Sequence, residues 1–344
     1  MKIKHSLLLL AALALVVAGT ASPLLAAKEI RWGTSAVGSS GHKALTNLTE
    51  MLKKEMTDYN FTVQPTPGAI ISVKGYATGQ FEGYYGADVA CYELANNISR
   101  FKGFKEKMQR EPVQSFWAFT VESGLAIHTR DRDKIKKWGD LDGQRTFTGP
   151  RPWDTRAQIE RALAALNIKH DYMEVSKDTA GSLLEGGRFV GMGVYTNAEA
   201  ATAPWLIQAA MQTNWTALNP SAEEEAKLEA AGFTVVEVPT SVFGKKDPYV
   251  EKIKVLPFYY GLHVGMEVSA DDVYRMLMAI EKNAQSLAKA DKAFKQIAAD
   301  MPGMQRKGVN SAANLVKIHP GLARYMKEKG VWDSKWDSRV AKAN

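Results

Sequence analysis

Ser39 and Ser40 follow Gly38 in the loop 33–41, and Arg151, Trp153, Asp154, Thr155 and Arg156 crowd the loop 149–156. Each loop lies where a short apolar run hands over to a helical pattern. The first turn of a helix leaves about four N–H groups unpaired and carries partial positive charge. Hydroxyls and guanidinium forks at two such starts would form a clamp for a carboxylate or another small anion. The predicted gripping groups are Ser39, Ser40, Arg156 and Tyr195, with Gly38, Tyr92, Arg151, Trp153, Thr155 and Asn197 completing the site. Tyr195 and Asn197 end a predicted strand, where doubly wound sheets bind ligands. Tyr and Trp, which also include Tyr84, Tyr85 and Trp205 in these regions, supply apolar walls with a polar handle.

Each of these residues has a competing structural role. Ser39 and Ser40 suit helix capping. Arg156 stands four positions before Glu160, ion-pair spacing on a helix. Asp154 is read as the N-cap of its helix, Glu93 as an ion-paired residue, and Tyr84 and Trp205 as packing residues.

Catalytic constellations are missing from the sequence. Gly33-Thr34-Ser35-Ala36-Val37-Gly38 has the outer glycines of a phosphate loop, but Ser39-Ser40 stand where the lysine is needed. The two serines do not form a G-x-S-x-G elbow. The six histidines are dispersed, with no H-E-x-x-H and no His–Cys cluster. The chain is read as a binding protein and not an enzyme, with no cofactor and no metal.

The elements that must position these groups alternate between strand and helix. Lys28 to Thr34 reads as a strand, Gly41 to Met56 as a helix with Leu45, Leu48 and Leu52 on one face, and Phe61 to Pro65 as a strand. A second series restarts after Asp140-Leu141-Asp142-Gly143: a strand at Arg145 to Thr148, then a helix at Thr155 to Leu166. Gly79-Gln80-Phe81-Glu82-Gly83 is echoed by Gly187-Arg188-Phe189-Val190-Gly191, a G-x-F-x-G pattern that either marks two similar lobes or recurs by chance. Val113 to Thr129 and Val255 to Val264 are rich in β-branched and aromatic residues and are read as strands running between lobes. Helices at Ala270 to Leu287 and Lys292 to Met301 complete the α/β pattern. The predicted division is lobe I at 28–120 and 250–344 and lobe II at 121–249.

Residues 1–27 read as a cleaved secretory signal: Lys2, Lys4 and His5, an apolar run from Leu7 to Ala18, then Gly19, Thr20 and Pro23. The run is shorter than the roughly 20 residues a spanning helix needs. No cysteine stands near its end to take a lipid, so the mature chain is expected to be free in the periplasm. The 44 basic and 37 acidic residues give +7, and loss of Lys2 and Lys4 leaves +5. Basic residues are interleaved with acidic ones along helical stretches, so no nucleic-acid partner is predicted. The single Cys91 cannot form an intramolecular disulfide.

Taken in order, several short motifs resemble the TAXI family of TRAP-transporter solute-binding proteins. They are Gly33-Thr34, Gly38-Ser39-Ser40-Gly41, Thr78-Gly79-Gln80, Leu141-Asp142-Gly143-Gln144-Arg145, and Pro204 to Leu218 followed by Asn219-Pro220. The resemblance implies a type II periplasmic-binding-protein fold, two sheets flanked by helices and joined by hinge strands, that closes on its ligand. It implies a carboxylate ligand, such as an amino acid, keto acid or dicarboxylate, and delivery by a monomeric protein to a separate TRAP-type membrane permease. Arg151-Pro152-Trp153-Asp154 replaces the small residues of the family's second binding loop, which points to a bulkier, more charged pocket. The alternative reading keeps the fold and makes the partner an ATP-driven importer for an anion or vitamin precursor.

Overall fold

The computed structural model of the protein describes residues 27–244 and 247–342. The predicted signal sequence therefore falls almost wholly outside the described residues. The chain opens with β1 (Lys28–Gly33), α1 (Ser40–Glu55), β2 (Tyr59–Gln64), α2 (Ala69–Ala77), β3 (Gly83–Ala87) and α3 (Asp88–Asn96). Next come β4 (Val113–Gln114), β5 (Trp117–His128), β6 (Arg145–Phe147), α4 (Asp154–Ala165), β7 (Asp171–Tyr172), α5 (Ala180–Glu185), β8 (Gly191–Asn197), α6 (Pro204–Gln212), β9 (Trp215–Leu218), α7 (Ala222–Ala230) and β10 (Val236–Pro239). It finishes with β11 (Lys252–Val264), α8 (Ala270–Ala290), α9 (Lys295–Ala312), β12 (Lys317–Ile318) and α10 (Pro320–Glu328).

Ten strands join in the order β2-β1-β3-β11-β5-β8-β6-β7, with β10 on β11 and β9 on β5. β1 pairs in parallel with β2 and β3, and β6 pairs in parallel with β7 and β8, as expected for two β-α-β series. Between them lie β5 and β11, antiparallel to each other and long enough to serve both sides. Residues Val121–Ile127 of β5 pair with β8, while Tyr260–Val264 of β11 pair with β3. The result is a two-lobed α/β fold whose lobes share two continuous strands. All twelve residues of β5 are buried, in keeping with its mostly apolar and small sequence, which Thr120, Glu122 and His128 interrupt.

The two G-x-F-x-G segments occupy matching places. Gly79 and Gly187 turn with φ of 82° and 67°, and each pattern ends at a strand, β3 or β8, that pairs antiparallel with a crossing strand. Leu45, Leu48 and Leu52 of α1 bury the stripe read from their spacing. On α8 the buried stripe is Val273, Met276, Leu277, Ile280, Ala284 and Leu287. The predicted helix at Lys292 to Met301 is corrected. A short turn at Lys292–Phe294 precedes α9, which runs to Ala312 across a kink. The kink is at non-helical Asp300, two residues before Pro302, whose ring and missing N–H break the preceding turn. No described helix is long and apolar enough to cross a membrane.

Candidate functional site

A small cavity of about 30 Å³ lies between the lobes. Lobe I contributes Ser35, Ser39, Ser40 and Gly41 from the β1–α1 junction, Ala69 at the start of α2, and Tyr85 of β3. The crossing strands add Val121 and Tyr260, and the other lobe adds Trp153, Asp154 and Thr155 at the start of α4 with Tyr195 and Asn197 at the end of β8.

Three helices begin at this cavity. Ser39 caps α1, its Oγ accepting from the His42 N–H at 3.3 Å. α2 starts after Gly68 and α4 after Trp153, and neither has a side-chain cap. Their first-turn amides are thus left to solvent or a ligand, and the three starts superpose positive potential at one place. Thr155 Oγ1 and both polar side-chain atoms of Asn197 have no hydrogen-bond partner among the described residues. Asn197 is 1% exposed and Thr155 8%, so these are buried polar groups facing the cavity, a situation that is costly unless something binds there. Ser40 lies against the Tyr195 hydroxyl, whose pKa burial pushes up to about 12.

Aromatic rings wall the cavity. Tyr85 stacks on Tyr260 with centroids 4.2 Å apart. Trp153 packs edge-on against Tyr195 and Trp205 at 6.1 and 6.0 Å, and the Trp205 indole donates to the Tyr195 hydroxyl at 3.2 Å. Trp153 also spans the lobes, its indole donating to the Pro67 carbonyl at 3.1 Å.

Behind one wall is a charged cluster. Arg100 Nε donates to Glu93 Oε2 at 2.7 Å, and Arg100 Nη2 lies 2.7 Å from Asp154 Oδ1. Asp154 Oδ2 accepts from the Tyr260 hydroxyl at 2.6 Å. Burial pushes the Glu93 carboxyl above its ordinary value, with Arg100 opposing.

Of the residues singled out in the sequence, Ser39, Ser40, Trp153, Thr155, Tyr195 and Asn197 are brought together. Four are placed elsewhere. Gly38 supplies a left-handed turn (φ 81°) before Ser39. Tyr92 is on a separate groove with Asp88, Gln158 and Arg161, its ring under the Arg161 guanidinium at 5.0 Å. Arg151 is largely exposed and lies 3.2 Å from Glu174. Arg156 stacks on Tyr172 at 4.1 Å and reaches Glu160 at 3.3 Å. The cause is helical phase: successive residues of α4 are rotated by about 100°, so Thr155 faces the cavity while Arg156 follows Glu160. Asp154 is the first residue of α4 and not its N-cap, a place taken by Trp153. Glu93 is ion-paired, and Tyr84 is buried with its hydroxyl donating to the Val113 carbonyl at 2.7 Å. Tyr260, Val121 and Ala69 carried no signal in the sequence, apart from a Pro67-Gly68 break that marks the start of α2. Among the described residues no group of three or more His, Cys, Asp or Glu could hold a metal ion.

No curated protein matches the sequence. Solved structures that the chain is similar to include the alkanesulfonate-binding protein of Xanthomonas axonopodis pv. citri bound to MOPS, at 10% identity and a TM-score of 0.47, covering 92% of this chain and 95% of that one. They also include the periplasmic aliphatic sulphonate binding protein of Escherichia coli (12% identity, TM-score 0.40, 87% and 83% covered). A third is the ligand-binding component of an ABC-type import system from Staphylococcus aureus (12% identity, TM-score 0.44, 92% and 99% covered). Residues 36–330, most of the chain, match the NMT1-like family, and the chain belongs to it.

Proposed function

We propose that this protein is an exported solute-binding protein that captures a small organic acid between its two lobes and hands it to a membrane importer. The observation that carries the reading is the cavity itself, where three helix starts and the unpartnered side chains of Thr155 and Asn197 converge. The carboxylate is gripped by the α1, α2 and α4 amides with the Ser40 and Thr155 hydroxyls, not by an arginine. Lobe I comprises residues 28–120 and 250–344 and lobe II 121–249, with β5 and β11 as the hinge. Closure is driven only as far as the ligand binds the closed arrangement better than the open one. Contacts that exist only when the lobes meet, such as Trp153 to Pro67 and Arg100 to Asp154, set the balance between the two.

The importer is a TRAP-type permease or an ATP-driven one, and the genes beside this one, a large permease or an ATPase, distinguish the two. Delivery to a TRAP-type permease, the first reading of the sequence, rests on the TAXI resemblance alone; the NMT1-like family that the chain matches carries no transporter type in its name.

Calorimetric titration with small carboxylates, together with small-angle scattering to follow closure, tests the proposal. Saturable binding accompanied by a smaller radius of gyration is expected. Tight binding of a neutral sugar or a bare metal cation, with no response to any organic acid, would overturn it.

A further inference from the structure

The groove that holds Tyr92 has a volume of about 300 Å³, far more than the interlobe cavity and enough for a small molecule. Asp88 and Tyr92 of α3 line it from lobe I, Gln158 and Arg161 of α4 with Phe233 from the other lobe, and Tyr259 from the crossing strand β11. Two of these groups are prepared for a partner that the chain does not supply. Gln158 is only 5% exposed, yet its Oε1 has no hydrogen-bond partner among the described residues. A buried amide left in this way is costly, and a donor entering the groove would recover that cost. Arg161, three residues on and so on the same face of α4, lies over the rings of Tyr92 and Phe233 at 5.0 and 5.5 Å. Stacking occupies the faces of a guanidinium and fixes its plane, while the N–H edge that matches a carboxylate stays available. Arg161 forms no ion pair with any described carboxylate. Asp88, one turn from Tyr92 on α3, is already served: its Oδ1 accepts from the Val89 N–H at 2.7 Å and its Oδ2 from the Tyr259 N–H at 3.2 Å. Burial raises its carboxyl only to about 6, so at neutral pH it carries charge and turns away a second anionic group.

We propose that this groove is a second ligand site, separate from the interlobe cavity, and that it takes a small hydroxylated monocarboxylate. The carboxylate pairs with the Arg161 fork and a hydroxyl donates to Gln158 Oε1, the two anchors lying one helical turn apart on α4. A plain carboxylate leaves Gln158 unpaired and a polyol leaves Arg161 unpaired. A dicarboxylate sets its second charge against Asp88.

The test is calorimetric titration of the purified protein with L-lactate and D-glycerate against propanoate, glycerol and L-malate, repeated on Arg161→Ala, Gln158→Leu and Thr155→Val. Lactate and glycerate are expected to give a saturable event at least about fivefold tighter than propanoate or malate, and glycerol none. Arg161→Ala should weaken that event about tenfold or more, and Gln158→Leu should erase the preference for lactate over propanoate. Thr155→Val, which alters the interlobe cavity, should leave the event in place. Equal urea midpoints for the wild type and the groove variants show that a loss comes from the groove and not from misfolding. An event that survives Arg161→Ala, or propanoate bound as tightly as lactate, overturns the inference. An event lost in Thr155→Val but kept in Arg161→Ala belongs to the interlobe cavity, which overturns the second site and supports the solute-binding reading. Silence from the whole panel overturns the second site and leaves the solute-binding reading to its own titration.

Discussion

Replacing Glu122 by Gln should change how the stability of this protein depends on pH. Glu122 lies in the middle of the crossing strand β5 and is fully buried. It accepts hydrogen bonds from the Thr120 hydroxyl, from the Thr196 hydroxyl at 2.6 Å and from the Glu199 N–H at 3.1 Å. Burial outweighs these bonds and pushes its pKa from the ordinary 4.5 up to about 7. A folded-state value above the unfolded one means that the native protein holds the proton more tightly. The resulting stability is fully present below pH 4.5 and is lost as pH rises through about 7. That interval corresponds to roughly 3 kcal/mol. Asp88, which burial pushes up to about 6, acts in the same direction but is present in both proteins and cancels in their difference. Urea unfolding followed by tryptophan fluorescence at pH 4.5 to 8.5 reads the effect. The free energy of Glu122→Gln minus wild type should climb by roughly 3 kcal/mol across that range. Parallel curves, separated by a constant amount, would show that Glu122 ionises freely in the native state and would refute the reasoning.

Three further substitutions probe the cavity. Asn197→Ala removes an amide with no hydrogen-bond partner among the described residues, so unfolding in urea should change little while calorimetric affinity for the solute falls about tenfold. Arg156→Ala should leave solute affinity within about twofold, because the side chain is held by Tyr172 and Glu160; its half-exposed i, i+4 pair costs at most about 0.5 kcal/mol of stability in a urea titration. Gly41→Ala places a Cβ 2.3 Å from the Tyr85 ring, which cannot retreat because it is stacked on Tyr260. A loss of about 1 to 3 kcal/mol in thermal unfolding, with weakened solute binding, is expected.

The alternation of strands and helices was legible because period-2 and period-3.6 burial leaves a local trace in the residues. The starts of α1 and α4 could be located to within a residue, and with them Ser39, Ser40, Trp153 and Thr155. The crossing strands β5 and β11 stood out because strands that run through the middle of a sheet are rich in β-branched and aromatic residues, even though β5 also carries the buried Glu122. The sense in which a side chain points at a helix start was less accessible. Arg156 and Thr155 are neighbours in sequence, and only the way α4 is seated on the sheet sends one to Glu160 and the other to the cavity. Asp154 was visible as a helix-start acid, whereas its pairing with Arg100 depends on residues 54 positions apart meeting across the lobes.

By itself, then, the sequence determined the α/β class, the two-series organisation, the strands that run between lobes and the two loops that would meet. These follow from near-neighbour spacing. Tertiary structure alone decided that the cavity contains a carboxylate and no cationic side chain, that Tyr260 and Ala69 belong to its wall, and that Arg151, Arg156 and Tyr92 do not. Such matters depend on the relative seating of elements far apart in the chain, set by packing of the whole core and not by any local pattern.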